Sequence, residues 1–168
     1  MSFLFRLMLL ALLMLSTVQG GERVYQKPSE FLHTVFGTNL PATQALTLTS
    51  SHQSRIKRLL GHPYRTSKVR YWSDGTKTAW ILEEVGKTEP ITTGFVTKGG
   101  SIQEVKVLIY RESHGYEVSS SNFCKQFRGA TLNNNQLTRE VRNIAGATLS
   151  VRALGGLGRV ALYLDTLK

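Results

Sequence analysis

Residues 68–110 constrain the fold of this 168-residue chain more tightly than any other stretch. Lys68 to Ser73 alternates in polarity and reads as a strand, Asp74-Gly75 is a tight-turn signal, and Thr76 to Val85 reads as a second strand. Gly86-Lys87 turns the chain into a third strand from Ile91 to Thr97. Gly99-Gly100 turns it again into a fourth, Ser101 to Tyr110. Short glycine turns between alternating runs match the twist of paired strands, so the segment predicts an antiparallel meander. Trp72 and Trp80 fall inside it and are expected to cover one sheet face. Glu83 and Glu84 are neighbours on one strand and point to opposite faces, so they cannot act as a cooperating carboxylate pair.

Helical signals flank the meander. Pro28-Ser29-Glu30 opens a helix at a position where a missing N–H costs nothing, with Phe31, Leu32, Val35 and Phe36 at helical spacing and Gly37 as its stop. Residues 44–49 alternate as a strand. Ser50 or Ser51 is placed to cap a helix through Leu60, closed by Gly61 and Pro63. After Tyr110, Ser120 or Ser121 is placed to cap a short helix through Phe123 and Phe127, and residues 131–138 read as a surface loop. A final helix follows Ala145-Gly146-Ala147-Thr148, with Leu149, Ala153, Leu154, Leu157, Val160, Ala161 and Leu164 on one stripe. Gly155, Gly156 and Gly158 interrupt it at about 1 kcal/mol each against alanine, which predicts a kink or close packing there. The fold class is therefore α+β: a single domain in which an antiparallel meander sheet packs with short helices and a C-terminal helix.

The first twenty residues stand outside that domain. Arg6 is followed by an apolar run from Leu7 to Leu15 and by a tail of small residues ending at Gly20, the three-part plan of a secretory signal peptide. The run falls short of the roughly 20 residues a spanning helix needs, so cleavage after Gly20 is expected, with retention as an anchor as the rival. The expected division is signal peptide over 1–20 and folded domain over 21–168, at the periplasm or the outer face of the inner membrane. Cys124 is the only cysteine, so no internal disulfide supports an exported chain, and between Phe123 and Lys125 it reads as a small core residue.

The formal charge is +10, and because Arg6 is the only charged residue before Gly21 the remainder carries +9. Such a surplus calls for anionic partners, either lipid headgroups or acidic electron-transfer proteins. Export argues against nucleic acid. His33, His52, His62 and His114 share no ligand spacing and no Cys pair accompanies them, so no metal site is expected. HExxH, GxSxG and GxxxxGK[ST] do not occur, and Gly155-Gly156-Leu157-Gly158 follows a helix rather than a strand, unlike a dinucleotide-binding turn.

One segment has the physics of an anion site. In Asn143-Ile144-Ala145-Gly146-Ala147-Thr148-Leu149-Ser150, small residues allow close backbone approach. A helix starting there offers free N–H groups and a positive dipole end, with the Thr148 hydroxyl in the same turn. The plainer reading is an ordinary helix start with Thr148 as its cap.

Two blocks of residues 110–150 resemble the FMN-binding domain found in the sodium-pumping NADH:quinone reductase and in the Rnf electron-transport complex. They resemble small exported FMN-binding proteins of that family more closely still. Tyr110-Arg111-Glu112-Ser113-His114-Gly115-Tyr116-Glu117-Val118, followed by Phe123, Gln126, Phe127 and Gly129, is similar to the family's Glu/Gly block and later Phe-x-Gly. Gly146-Ala147-Thr148-Leu149-Ser150 is similar to its flavinylation motif. The resemblance implies an exported electron-transfer protein carrying FMN, with Thr148 as the residue esterified through a phosphodiester by a separate magnesium-dependent flavin transferase. It also implies that Glu112, Gly115 and Tyr116 lie near the isoalloxazine ring, with Tyr116 either stacking or filling core. The family's Asp six residues before the Thr is Arg142 here, and its Ser or Thr three before is Ala145. Arg142 suits a non-covalent site in which the guanidinium pairs with the phosphate. The alternative is a flavin-free member that uses its basic surface to dock on a membrane or a partner. The electron donor and acceptor, membrane redox proteins among the candidates, are left open.

Overall fold

The computed structural model describes residues 21–168; the signal-peptide reading falls on residues 1–20 and lies outside them. The meander forms as its turns dictate. β1 (Arg23–Val24), β2 (Gln44–Thr47), β3 (Lys68–Ser73), β4 (Thr78–Val85), β5 (Pro90–Lys98) and β6 (Ser101–Tyr110) make one six-stranded sheet in the order β1-β6-β5-β4-β3-β2. Every neighbouring pair is antiparallel. The turn glycines Gly75, Gly99 and Gly100 take positive φ of 85°, 58° and 74°, the left-handed region that the tight turns need.

Helix α1 (Pro28–Phe36) covers one face of the sheet, and α2 (Ser50–Leu60) packs with α4 (Thr148–Asp165) on the other. Phe31 of α1 lies so close to β5 that a Cβ at Gly94 would stand 2.6 Å from its ring; only glycine fits beneath it. The larger core, on the α4 side, gathers Trp80, Phe95, Val107, Phe127, Leu154, Leu157 and Val160. Between sheet and α4 run a 3₁₀ turn (Tyr116–Ser119), the short α3 (Ser121–Cys124) and a second 3₁₀ turn (Lys125–Phe127). Cys124 is buried there and its thiol donates to the Val118 carbonyl at 3.4 Å; burial pushes its pKa up, which fits a core residue. The whole is a single α+β domain closed by a C-terminal helix.

Several expectations are corrected. Trp72 and Trp80 do not share a face: Trp72 pairs with Ala79, so Trp80 points the other way, into the α4 core, while Trp72 packs under α1. The cap of α2 is Thr49, whose hydroxyl accepts from the His52 N–H at 3.3 Å, not Ser50 or Ser51. β2 accordingly ends at Thr47, and β4 begins at Thr78 rather than Thr76. Residues 131–138 contain a small hairpin, β7 (Leu132–Asn133) with β8 (Gln136–Leu137), turned by Asn134 and Asn135 at φ 46° and 66°. The α4 glycines mark close packing without a break in the helix. A Cβ at Gly156 would meet Leu60 Cδ2 at 2.9 Å, and one at Gly158 would touch Ile102 and Phe127 at 3.4 Å.

The sheet also opens at one end. β4 runs on to Val85, yet β3 pairs with it only from Tyr71 to Ser73; residues 68–70 pair with β2 alone. The two strands therefore splay apart there. Tyr64 lies at the gap, where burial and then the Glu84 and Glu83 charges hold the phenol neutral. Around it lies a cleft of about 1230 Å³ that reaches Ile81 and Trp72 on the α1 side and Leu82 and Glu84 on the α4 side.

Candidate functional site

The two blocks singled out in the sequence meet in space at the start of α4. Gly115 sits at φ 85°, and a Cβ there would lie 2.8 Å from the Tyr110 hydroxyl, 3.0 Å from Ser150 Oγ and 3.3 Å from Ala147 Cα. A glycine is thus required both by the backbone and by the approach of α4. The Tyr110 hydroxyl ties the blocks together: it donates to the His114 carbonyl and lies 2.9 Å from Ser150 Oγ. The sequence pattern marks Tyr110 only as part of a motif and misses its role as the bridge; its place as the last residue of β6, facing the core, is the available signal.

Thr148 is the first residue of α4, not its cap. Ala147 occupies the cap position, buried and without any side-chain bond to the helix start. The N–H groups of Thr148, Leu149 and Ser150 therefore lie before the first bond of the helical ladder, which Val151 makes to the Ala147 carbonyl at 2.9 Å. Gly146, at φ 82° and with open space where a Cβ would stand, leaves the approach to these donors clear. Thr148 is half-buried, and its hydroxyl accepts from Asn143 Nδ2 at 3.1 Å, a contact that the sequence does not single out.

The remaining expected residues are dispersed around this seat. Leu149, expected on the buried stripe of α4, is 43% exposed and lines the cleft. Arg142 is exposed; its backbone N–H donates to Gln126 Oε1 at 2.8 Å and its side chain makes no ion pair among the described residues. Tyr116 does not fill core: it is 47% exposed, lines neither the cleft nor any other described pocket, and carries the Arg23 guanidinium 4.4 Å above its ring.

Glu112 has a structural place that its motif does not single out. Its buried carboxylate holds the 86–89 turn: Oε1 accepts the backbone N–H groups of Lys87, Thr88 and Glu89, the last two at 2.7 and 2.9 Å, and Oε2 accepts the Thr88 hydroxyl at 3.2 Å. Burial alone would raise its pKa, but these four donors outweigh it and hold the carboxyl below the ordinary range. Gly86 and Thr88 of that turn line the cleft, so Glu112 fixes part of its lining. Across from α4, His62 Nε2 stands 3.5 Å from the buried Glu84 Oε1, and Tyr64 completes that wall.

The fold and this arrangement define a class: a one-domain α+β protein with an uncapped helix start bearing a threonine hydroxyl, whose next residue, Leu149, lines a large two-sided cleft that Thr148 itself does not line. That combination suits an anionic group at the helix terminus with a bulky organic body in the cleft. No protein-family model, curated protein or solved structure matches the chain. Among the described residues no group of three or more His, Cys, Asp or Glu is placed to hold a metal, and no helix is long and apolar enough to cross a membrane.

Proposed function

We propose that the protein is an exported FMN-binding electron carrier whose cofactor is esterified through its phosphate to Thr148. What supports the reading is the uncapped start of α4, where a hydroxyl and three unladdered N–H groups stand in the same turn as Leu149, which lines the cleft. The residues present fit the group. A phosphate diester at Thr148 would be met by the N–H groups of the first turn and by the helix dipole. The ring system has room in the cleft that begins at Leu149 and is walled by Ala153, Tyr64 and the Glu112-held turn.

FMN, when bound, supplies the redox chemistry, and the chain supplies position and electrostatics. Asn143 orients the Thr148 hydroxyl. Tyr110 and Gly115 hold α4 at a fixed distance from β6, which fixes the seat relative to the cleft. Arg142, free of any carboxylate partner among the described residues, adds positive charge beside the seat. The +9 of residues 21–168 favours encounter with acidic redox partners. Arg142 and Ala145, in place of the family's Asp and Ser/Thr, favour the second reading, a flavin-free docking module.

Coexpression with a flavin transferase decides between them. The carrier reading expects a yellow protein that keeps its colour through denaturation and gel filtration, and loses it in Thr148→Ala. A protein that stays colourless and takes up no added FMN would overturn it.

A further inference from the structure

On the far side of Arg152 from the cleft lies a second concavity that the flavin reading does not use. It is a groove of about 420 Å³ between α4 and the β7–β8 hairpin with the extended segment after it. Arg139, Arg152 and Arg159 line it, and Glu140 is the one acid among its lining residues. Three guanidinium groups against one carboxylate leave a surplus of two positive charges. None of the three arginines makes an ion pair among the described residues.

Arg159 is the telling member. It is half-buried, and its Nε donates to the Leu59 carbonyl at the end of α2 at 3.0 Å, which fixes the plane of the guanidinium. That bond uses Nε alone and leaves the paired Nη groups as donors. Burial pushes its pKa down and no neighbouring anion offsets the cost. A cation held in place, partly desolvated and unpaired is a site lacking its counter-charge. Leu137 and Val141 give the groove an apolar floor beside these donors.

We propose that this groove binds a phosphate-class dianion, gripped by Arg139, Arg152 and Arg159. Two charges match the surplus, and planar guanidinium forks present paired N–H donors to adjacent phosphate oxygens. The groove shares Arg152 with the cleft, but Arg139 and Arg159 lie outside that cleft and Thr148 lies outside the groove, so the two can be tested apart.

The test uses flavin-free protein over residues 21–168, titrated with inorganic phosphate at constant ionic strength and followed by calorimetry and thermal unfolding. Saturating phosphate is expected to raise the Tm by about 5 °C, with chloride at equal ionic strength giving none of that rise. Arg139→Gln, at an exposed position where folding is not at stake, is expected to weaken binding about tenfold, as lost charge-assisted bonds do. Arg159→Gln is expected to do the same, and Thr148→Ala to leave affinity unchanged. Equal stabilisation by chloride, or undiminished affinity in Arg139→Gln, overturns the proposal. Loss of binding in Thr148→Ala also overturns it, by moving the anion to the helix start. Flotation with phosphatidylcholine vesicles, with and without phosphatidic acid, separates the two sources of the ligand. Arg139-dependent capture only by phosphatidic acid assigns a lipid headgroup, and phosphate binding without capture assigns a free phosphate.

Discussion

Removing the Tyr110 hydroxyl should uncouple the two halves of the seat, and the cost follows from the contacts it makes. Tyr110 is fully buried and Ser150 is 4% exposed, so water cannot replace the 2.9 Å bond between their hydroxyls. Burial also raises the phenol's pKa, so it is a neutral donor throughout the neutral range. Tyr110→Phe leaves Ser150 Oγ as an orphan and the His114 carbonyl without its internal donor. A buried polar group stripped of its partner costs about 1–3 kcal/mol, and we take about 2. Ser150→Ala is milder, about 1 kcal/mol, because the Tyr110 hydroxyl keeps the His114 carbonyl. In the double variant the orphan disappears with its partner, so its cost should fall short of the sum by about 1 kcal/mol. Urea denaturation at unchanged m measures each term, and the Tm of Tyr110→Phe should drop by roughly 4–8 °C in a domain of this size. A Tyr110→Phe variant within about 0.5 kcal/mol of the parent, or strict additivity in the cycle, would refute the reasoning.

Glu112→Gln should cost about 2 kcal/mol at pH 7, because an amide cannot accept all four donors of the 86–89 turn. The folded carboxyl's pKa is depressed, so its stabilisation is complete above the unfolded value of about 4.3 and is lost as pH falls through the folded value. Denaturation series should therefore show the two proteins converging in acid, and a constant gap from pH 7 to below the folded pKa would count against the contact. The α4 glycines should part company when changed to alanine. At Gly155 the nearest atom to a new Cβ is Arg159 Nη1 at 3.8 Å, so the variant should gain up to about 1 kcal/mol of helix propensity. At Gly156 Leu60 Cδ2 lies at 2.9 Å and must move, so the gain should vanish; equal shifts in Tm would contradict the packing. Arg142→Glu should weaken retention of free FMN severalfold if the guanidinium faces the phosphate, and fluorescence titration reads the difference.

Much of the fold is legible because it is written locally. β3 and β6 match the expected bounds from Lys68 to Ser73 and Ser101 to Tyr110, since alternation and glycine turns are read over a few residues. Helix α1 is likewise bounded by its own Pro28 and Gly37. Register is less local. The length of the 74–77 turn pairs Trp72 with Ala79, and that single offset sends the two tryptophans to opposite faces. The hairpin at 132–137 is hidden by its polarity, although two adjacent asparagines, at positive φ in the fold, are a usable turn signal. The candidate seat is legible as a helix start; the cleft beside it is not. It lies where β3 and β4, adjacent in the chain, stop pairing and Tyr64 from the loop after α2 lines the gap, and no periodicity carries that information. The Arg139–Arg152–Arg159 groove is invisible for the same reason, since the hairpin and α4 meet only in the folded chain.

Mass spectrometry of the protein coexpressed with a flavin transferase tests the central claim most directly. The account predicts a gain of one FMN less one water on the intact chain, localised after proteolysis to the peptide that contains Thr148. An unmodified Thr148 peptide at full yield, in a protein that holds no flavin under native conditions, would contradict it.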